Sequence, residues 1–142
     1  MKYLPSRIIF RSCSLVLLTA VFLAGCGGSD GLNRSSVSGA VTLDGQPVQE
    51  GSITFVPIEG TTGPMAFGKI TNGQYSISAG DRGPVPGKHK VQIEAYRDAG
   101  TTDSGGASLK DQVVPAKYNT ETSLVVEIGR GSATHNFDLT SD

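Results

Sequence analysis

The residues able to do chemistry are few. His89 and His135 are the only histidines of a 142-residue chain that has 2 cysteines and no tryptophan. Neutral imidazole binds zinc or copper well. By the alternation of their surroundings both point inward, His89 in phase with Val91 and His135 with Phe137. Two ligands do not close a metal site, and no cysteine or further histidine stands beside either one. Hydrogen-bonded histidines at strand ends are the expectation, with no metal and no cofactor. Asp98, Asp103 and Asp111 gather carboxylates in one stretch rich in Gly, Ser and Thr, but at the spacing of no known calcium loop. They are read as solvated acids on a candidate contact loop. Tyr118, in Pro115-Ala116-Lys117-Tyr118-Asn119, is expected to lay its ring on the core and bond its hydroxyl to backbone, as tyrosine corners do.

The two cysteines belong to a different chemistry. Lys2, Arg7 and Arg11 form a positive head, residues 15–23 an apolar run, and Leu23-Ala24-Gly25-Cys26 closes it. The run is shorter than the ~20 residues that span a bilayer and has the length of a signal-peptide hydrophobic region. Ala20 and Ala24 offer only fragments of an ordinary A-x-A cleavage site. The whole arrangement resembles a bacterial lipoprotein signal with its lipobox. That resemblance implies cleavage before Cys26, diacylglycerol on its sulfur and a third acyl chain on its amine. Three chains hold in practice permanently, since each buried methylene contributes ~0.8 kcal/mol. Gly27, standing where an aspartate would retain the protein, implies the outer membrane rather than the inner.

Residues 1–25 are thus expected to be a signal peptide and 26–35 a flexible tether of small polar residues. The processed chain has 117 residues, a single domain by size. Cys13 leaves with the signal and Cys26 is acylated, so no disulfide remains and the core must hold the fold alone. The processed chain carries 9 basic and 13 acidic residues, with no basic run beyond Lys88-His89-Lys90. Binding to nucleic acid rests on neutralised phosphates, so that function is excluded.

The elements that must position these residues are all β. Val37, Gly39, Val41 and Leu43 alternate with polar or small neighbours, and Asp44-Gly45 then reverses the chain. Residues 52–56 and 65–70 are further strands, with Gly68 a bulge or close-approach point. Asn72-Gly73 is the clearest hairpin turn, followed by a strand with Tyr75 and Ile77 in phase. Pro84 and Pro86 interrupt the chain before a long strand over 88–97. Its Lys90, Gln92 and Glu94 face water. Residues 98–112 read as an unstructured loop, long enough to be functional or disordered. Strands over 124–128 and 134–139 close the domain, which spans 36–142. The whole predicts an all-β, seven-stranded Greek-key β-sandwich.

Longer motifs add a family. The segment Val37-Ser38-Gly39-Ala40-Val41-Thr42-Leu43-Asp44-Gly45-Gln46-Pro47-Val48 is similar to the opening of transthyretin-like, carboxypeptidase-regulatory-like domains. Gly51-Ser52-Ile53-Thr54-Phe55-Val56-Pro57, Gly73-Gln74-Tyr75 and Val113-Val114-Pro115-Ala116-Lys117-Tyr118-Asn119 extend the match. Together they resemble the small lipoproteins of planctomycete-type bacteria. One hydrolase family of this fold, acting on hydroxyisourate, ends in Tyr-Arg-Gly-Ser. Here Tyr96-Arg97 lies mid-chain before Asp98, so that activity is not implied. Thr102-Asp103-Ser104-Gly105-Gly106 resembles the nucleophile region of trypsin-like proteases, but that chemistry needs a far larger scaffold. The resulting expectation is a non-catalytic envelope lipoprotein, a binding or structural module. Its partners would be the membrane, through the lipid anchor, and an envelope protein or polysaccharide. The alternatives are a hydrolytic or metal-dependent enzyme, needing the histidines and acidic loop to converge, and a carbohydrate-binding accessory domain, needing an exposed aromatic face.

Overall fold

The computed structural model describes residues 31–142. Leu23, Ala24, Gly25 and the acyl acceptor Cys26, with the expected signal peptide, lie outside the described residues. Gly31–Asp142 forms a compact unit with its own core.

Among the described residues there are ten strands: β1 (Ser36–Leu43), β2 (Gln46–Pro47), β3 (Glu50–Pro57), β4 (Ala66–Thr71), β5 (Gln74–Ile77), β6 (Gly87–Thr102), β7 (Ser108–Gln112), β8 (Val125–Ile128), β9 (Ser132–Thr134) and β10 (Phe137–Leu139). They form one curled sheet in the order β10-β1-β5-β4-β3-β6-β7, with β2 and β9 also on β1 and β8 also on β6. Every pairing is antiparallel except those of β1 with β9 and β10.

The seven expected strands are all present, but the count of seven is corrected to ten. A two-residue β2 follows the first turn, the closing run divides into β9 and β10, and β7 is new. The division has a steric cause. At Gly39 the neighbouring chain passes so close that a Cβ would sit 1.8 Å from the His135 carbonyl oxygen. The side chain of Asn136 stands in for the ladder there, its Oδ1 accepting from the Ala40 amide at 2.9 Å. On either side of this gap the register is the same, Ser38 opposite Thr134 and Val41 opposite Phe137.

Residues 98–112 are not an unstructured loop, which corrects the second expectation. β6 runs on to Thr102 and returns as β7, pairing Tyr96 with Gln112 and Thr102 with Ser108. Asp103 organises the tip: its Oδ1 accepts from the amides of Gly105 at 2.8 Å and Ala107 at 2.9 Å. The strands of this hairpin bury no face, so they show none of the apolar alternation by which a strand is recognised.

Both tight turns have the backbone that a two-residue hairpin demands. Asp44 and Gly45 have φ of 52° and 77°, and Asn72 and Gly73 have 50° and 75°. Gly68 is a close-approach point and no bulge: it pairs in register with Ile53, and a Cβ would meet the Ile77 side chain at 2.7 Å.

The concave side of the sheet encloses the core. Phe55, Tyr75 and Phe137 stand in a row with ring centroids 6.1 and 6.2 Å apart, among Ile53, Ile70, Val91 and Ile93. Tyr118 packs against this cluster, and its hydroxyl accepts from the Thr140 amide at 3.2 Å. The boundary expected between Ser35 and Ser36 also moves. Ser35 is fully buried, its amide donating to Pro84 O at 2.8 Å and its hydroxyl to Gly129 O at 2.6 Å. The last residues of the expected tether are therefore part of the fold.

Candidate functional site

The convex face of the sheet carries the feature most suited to contact. β4 buries Ala66, Gly68 and Ile70 and so turns Phe67, Lys69 and Thr71 outward. Phe67 is 63% exposed, and Met65, just before the strand, is 62% exposed. Rows of this face follow from the register. Phe67 lies beside Thr54 and then Gln92, while Lys69 lies beside Ser52 and then Glu94. Val56, Lys90 and the half-exposed Val125 make a third row. An aromatic ring is thus presented to solvent with a hydroxyl and an amide in line beside it. Sequence reasoning did not single out Phe67, although its position out of phase with Ala66, Gly68 and Ile70 carried the signal.

The three aspartates of the candidate contact loop do not converge. Arg97 is opposite Asp111 and Asp98 is opposite Lys110. Consecutive residues of a strand point to opposite faces, so Asp98 and Asp111 stand on different sides of the hairpin. Asp103 is at the tip, engaged with backbone amides. Lys110 reaches back instead to Glu50, Nζ to Oε2 at 3.0 Å, and ties the hairpin to β3.

The histidines are also apart in the sheet order. His89 is on β6, opposite Pro57 and Val126. His135 lies between β9 and β10 against β1, where its amide donates to Ser38 O. His89 is fully buried, edge-on to Phe55 at 6.4 Å, with Nδ1 3.1 Å from the Gly87 carbonyl. A carbonyl only accepts, so Nδ1 carries the hydrogen and Nε2 is a bare lone pair, buried without a partner. Burial pushes the His89 pKa below its ordinary 6.5, although the Gly87 hydrogen bond opposes the shift. His135 Nε2 is likewise buried without a hydrogen bond. Its carbonyl accepts from the Tyr75 hydroxyl at 2.8 Å, and burial pushes that phenol far above its usual range. Among the described residues no three His, Cys, Asp or Glu side chains come together as a metal site. The turn residues Asp44, Gly45, Asn72 and Gly73 serve the backbone, though Asp44 also accepts from the Ser141 amide at 2.9 Å.

No protein-family model matches the chain, and no curated protein does. Among solved structures, the chain is similar to a DUF3823 family protein from Parabacteroides merdae ATCC 43184, at 14% identity and a TM-score of 0.40. That likeness covers 77% of this chain and 47% of the other, so the chain spans about half of its neighbour's length. It is also similar to part of a 9R-lipoxygenase from Cyanothece PCC8801, at 13% identity and a TM-score of 0.33, over 76% of this chain and 16% of that one. Identities this low transfer no activity.

Proposed function

We propose that this chain is a membrane-anchored envelope lipoprotein whose folded part is a non-catalytic binding or structural module. The fold it would represent is the Greek-key sandwich of transthyretin-like, carboxypeptidase-regulatory-like domains, in a planctomycete-type lipoprotein. The observation that carries this reading is the run Leu23-Ala24-Gly25-Cys26 at the end of an apolar segment with a basic head. A short polar tether then leads to Ser35, where the chain is locked into the domain by its amide and its hydroxyl. Gly27 favours the outer membrane. Partners would be the bilayer, through the acyl chains, and an envelope protein or polysaccharide. Palmitate labelling of cells expressing wild type and Cys26→Ser tests the anchor. Label should appear on the wild type and vanish with Cys26→Ser, which should accumulate as uncleaved precursor. Equal labelling of both would overturn the assignment.

A second reading, a carbohydrate-binding accessory domain, is favoured by Phe67. A flat exposed ring with Thr54 and Gln92 in line has the apolar platform and adjacent polar groups that a sugar face needs. Retention of the domain on envelope polysaccharide should fall with Phe67→Ala if this reading holds. Retention unchanged by that substitution would leave the polysaccharide role without a site.

A further inference from the structure

The end of the domain that receives the tether carries most of its guanidinium groups. Of the four arginines in Gly31–Asp142, three (Arg34, Arg82 and Arg130) come from the segments knotted around Ser35, and only Arg97 is elsewhere. The knot is built from three chain segments. The Arg34 Nη1 donates to Gly83 O at 2.7 Å, the Ser36 amide to Gly131 O at 2.7 Å, and the Ala79 amide to the Ser36 hydroxyl at 3.0 Å. Gly83 is held so tightly that a Cβ there would lie 2.2 Å from Ser35 O. Between these segments opens a cleft of about 450 Å³, with Arg34 and Arg130 among its walls. Arg82, exposed at the end of the 78–82 turn and outside the cleft wall, stands next to Gly83 in the chain. The acids in these segments are Asp81, which accepts from the Ser78 hydroxyl at 2.7 Å, and, at the near end of the tether, Asp30.

The opposite end of β1 has the opposite character. Asp44 follows the strand and accepts from the Ser141 amide, and Asp138 is paired beside Thr42, with Lys117, whose Nζ donates to the Thr140 hydroxyl, as the nearby cation. An acidic domain thus keeps a basic end, and it keeps it where the tether enters. Eight residue steps separate Cys26 from Arg34, and a flexible linker of that length would have a root-mean-square span of roughly 15 Å, which would hold this end close to whatever holds Cys26. Fields of an anionic leaflet decay over about 8 Å at physiological ionic strength, a distance within the reach of so short a linker.

We propose that the arginine-walled cleft at the tether end binds the phosphate of anionic phospholipid headgroups and so sets the orientation of the domain on its membrane. The proposal rests on the anchored reading for its biological setting. Guanidinium groups present forked donors that match phosphate oxygens, and the short tether raises the local headgroup concentration to a range in which weak affinity suffices. The orientation has a consequence for the rest of the molecule. β6 starts beside this end, after Pro86, and its hairpin continues seven residues past Ala95, the last residue paired with β3. At about 3.3 Å per residue, the tip at Asp103 is carried roughly 20 Å beyond the last pairing with β3 and away from the bilayer.

Co-sedimentation of Gly31–Asp142, which contains the complete core, with vesicles tests the cleft directly. Phosphatidylcholine vesicles should retain little protein, and vesicles containing phosphatidylglycerol should retain more at low salt than at high salt. Arg130→Gln, at an exposed position in the cleft wall, should lower that retention about fivefold, while Arg97→Gln should leave it unchanged. Inorganic phosphate is the second arm. Binding of inorganic phosphate at Arg130 without retention on the charged vesicles would overturn the membrane assignment. Equal losses from Arg97→Gln and Arg130→Gln would overturn the site by showing a diffuse charge effect. Because this segment lacks Cys26, its vesicle binding is independent of acylation. Failure of palmitate labelling with intact vesicle retention sinks the anchor alone, and the reverse pattern sinks the cleft alone.

Discussion

Gly39→Ala should be among the most damaging one-carbon changes available in this fold. Gly39 lies in β1 with ordinary strand dihedrals, so alanine costs it nothing locally. The obstacle is the chain beside it. The added Cβ would fall 1.8 Å from His135 O, 2.7 Å from His135 C and 3.1 Å from Asn136 Oδ1. That is about 1.6 Å inside ordinary contact, and the nearest atoms are backbone. The 135–136 segment must retreat, and overpacking of this kind costs ~1–3 kcal/mol. Retreat also withdraws the carbonyl that accepts the buried Tyr75 hydroxyl at 2.8 Å, and a stranded hydroxyl costs a further ~1–3 kcal/mol. The expected total is therefore ~2–6 kcal/mol, or roughly 8–25 °C in melting temperature for a domain of this size. Gly45→Ala is the matched control. Its φ is 77° but nothing lies within 4 Å, so it should cost only the left-handed backbone penalty of ~1–2 kcal/mol. Urea unfolding followed by circular dichroism measures both. If Gly39→Ala proves as stable as wild type, the close passage at His135 is not as described.

Gly73→Val combines both penalties, because Gly73 has φ 75° and a Cβ there meets the Pro47 side chain at 2.6 Å; a loss of ~2–5 kcal/mol is expected in the same assay. His89 has a folded pKa below its unfolded value, so the unfolded chain takes the proton first as pH falls. Stability should be full above about pH 6.5 and fall below it towards the lower folded pKa, by at most ~1.4 kcal/mol per pH unit. The slope between pH 6.5 and 5 should flatten in His89→Gln, and an unchanged slope would remove His89 as its source. Replacing residues 99–110 by a short Gly-Ser bridge should move the melting midpoint little, since the hairpin is solvated and its Lys110–Glu50 pair is exposed; a large drop would mean that the hairpin supports the core. Retention on native envelope by the same variant reports whether the hairpin is a contact site.

Much of the fold was legible because half-buried strands write their burial into the sequence at a period of two. Val37, Gly39 and Val41 on β1, and His89, Val91, Ile93 and Ala95 on β6, fall inside as their alternation requires. Asp44-Gly45 and Asn72-Gly73 announced two-residue reversals because few other pairs accept positive φ twice. The β6–β7 hairpin left no such trace. With no buried face, its strands have the composition of a loop, and only backbone pairing and the Asp103 tip define them. Phe67 could be placed on the outer phase of β4, but its exposure depends on nothing crossing that face, which is a long-range fact.

The chain alone thus determined the β character, the two tight turns, the inward phase of His89 and the signal-like segment ahead of the domain. Which strands become neighbours was decided only in three dimensions. Pairing β1 with β9 and β10, almost a hundred residues away, brings Gly39 under His135 and joins Ser35 to Gly129. The same sheet order separates His89 from His135, divides Asp98 from Asp111, and gathers the segments that carry Arg34, Arg82 and Arg130 around Ser35. Alternation records which way each side chain faces. It carries no record of what will lie beside it, because sheet order is selected by the burial of all faces together and by contacts between residues far apart in the chain.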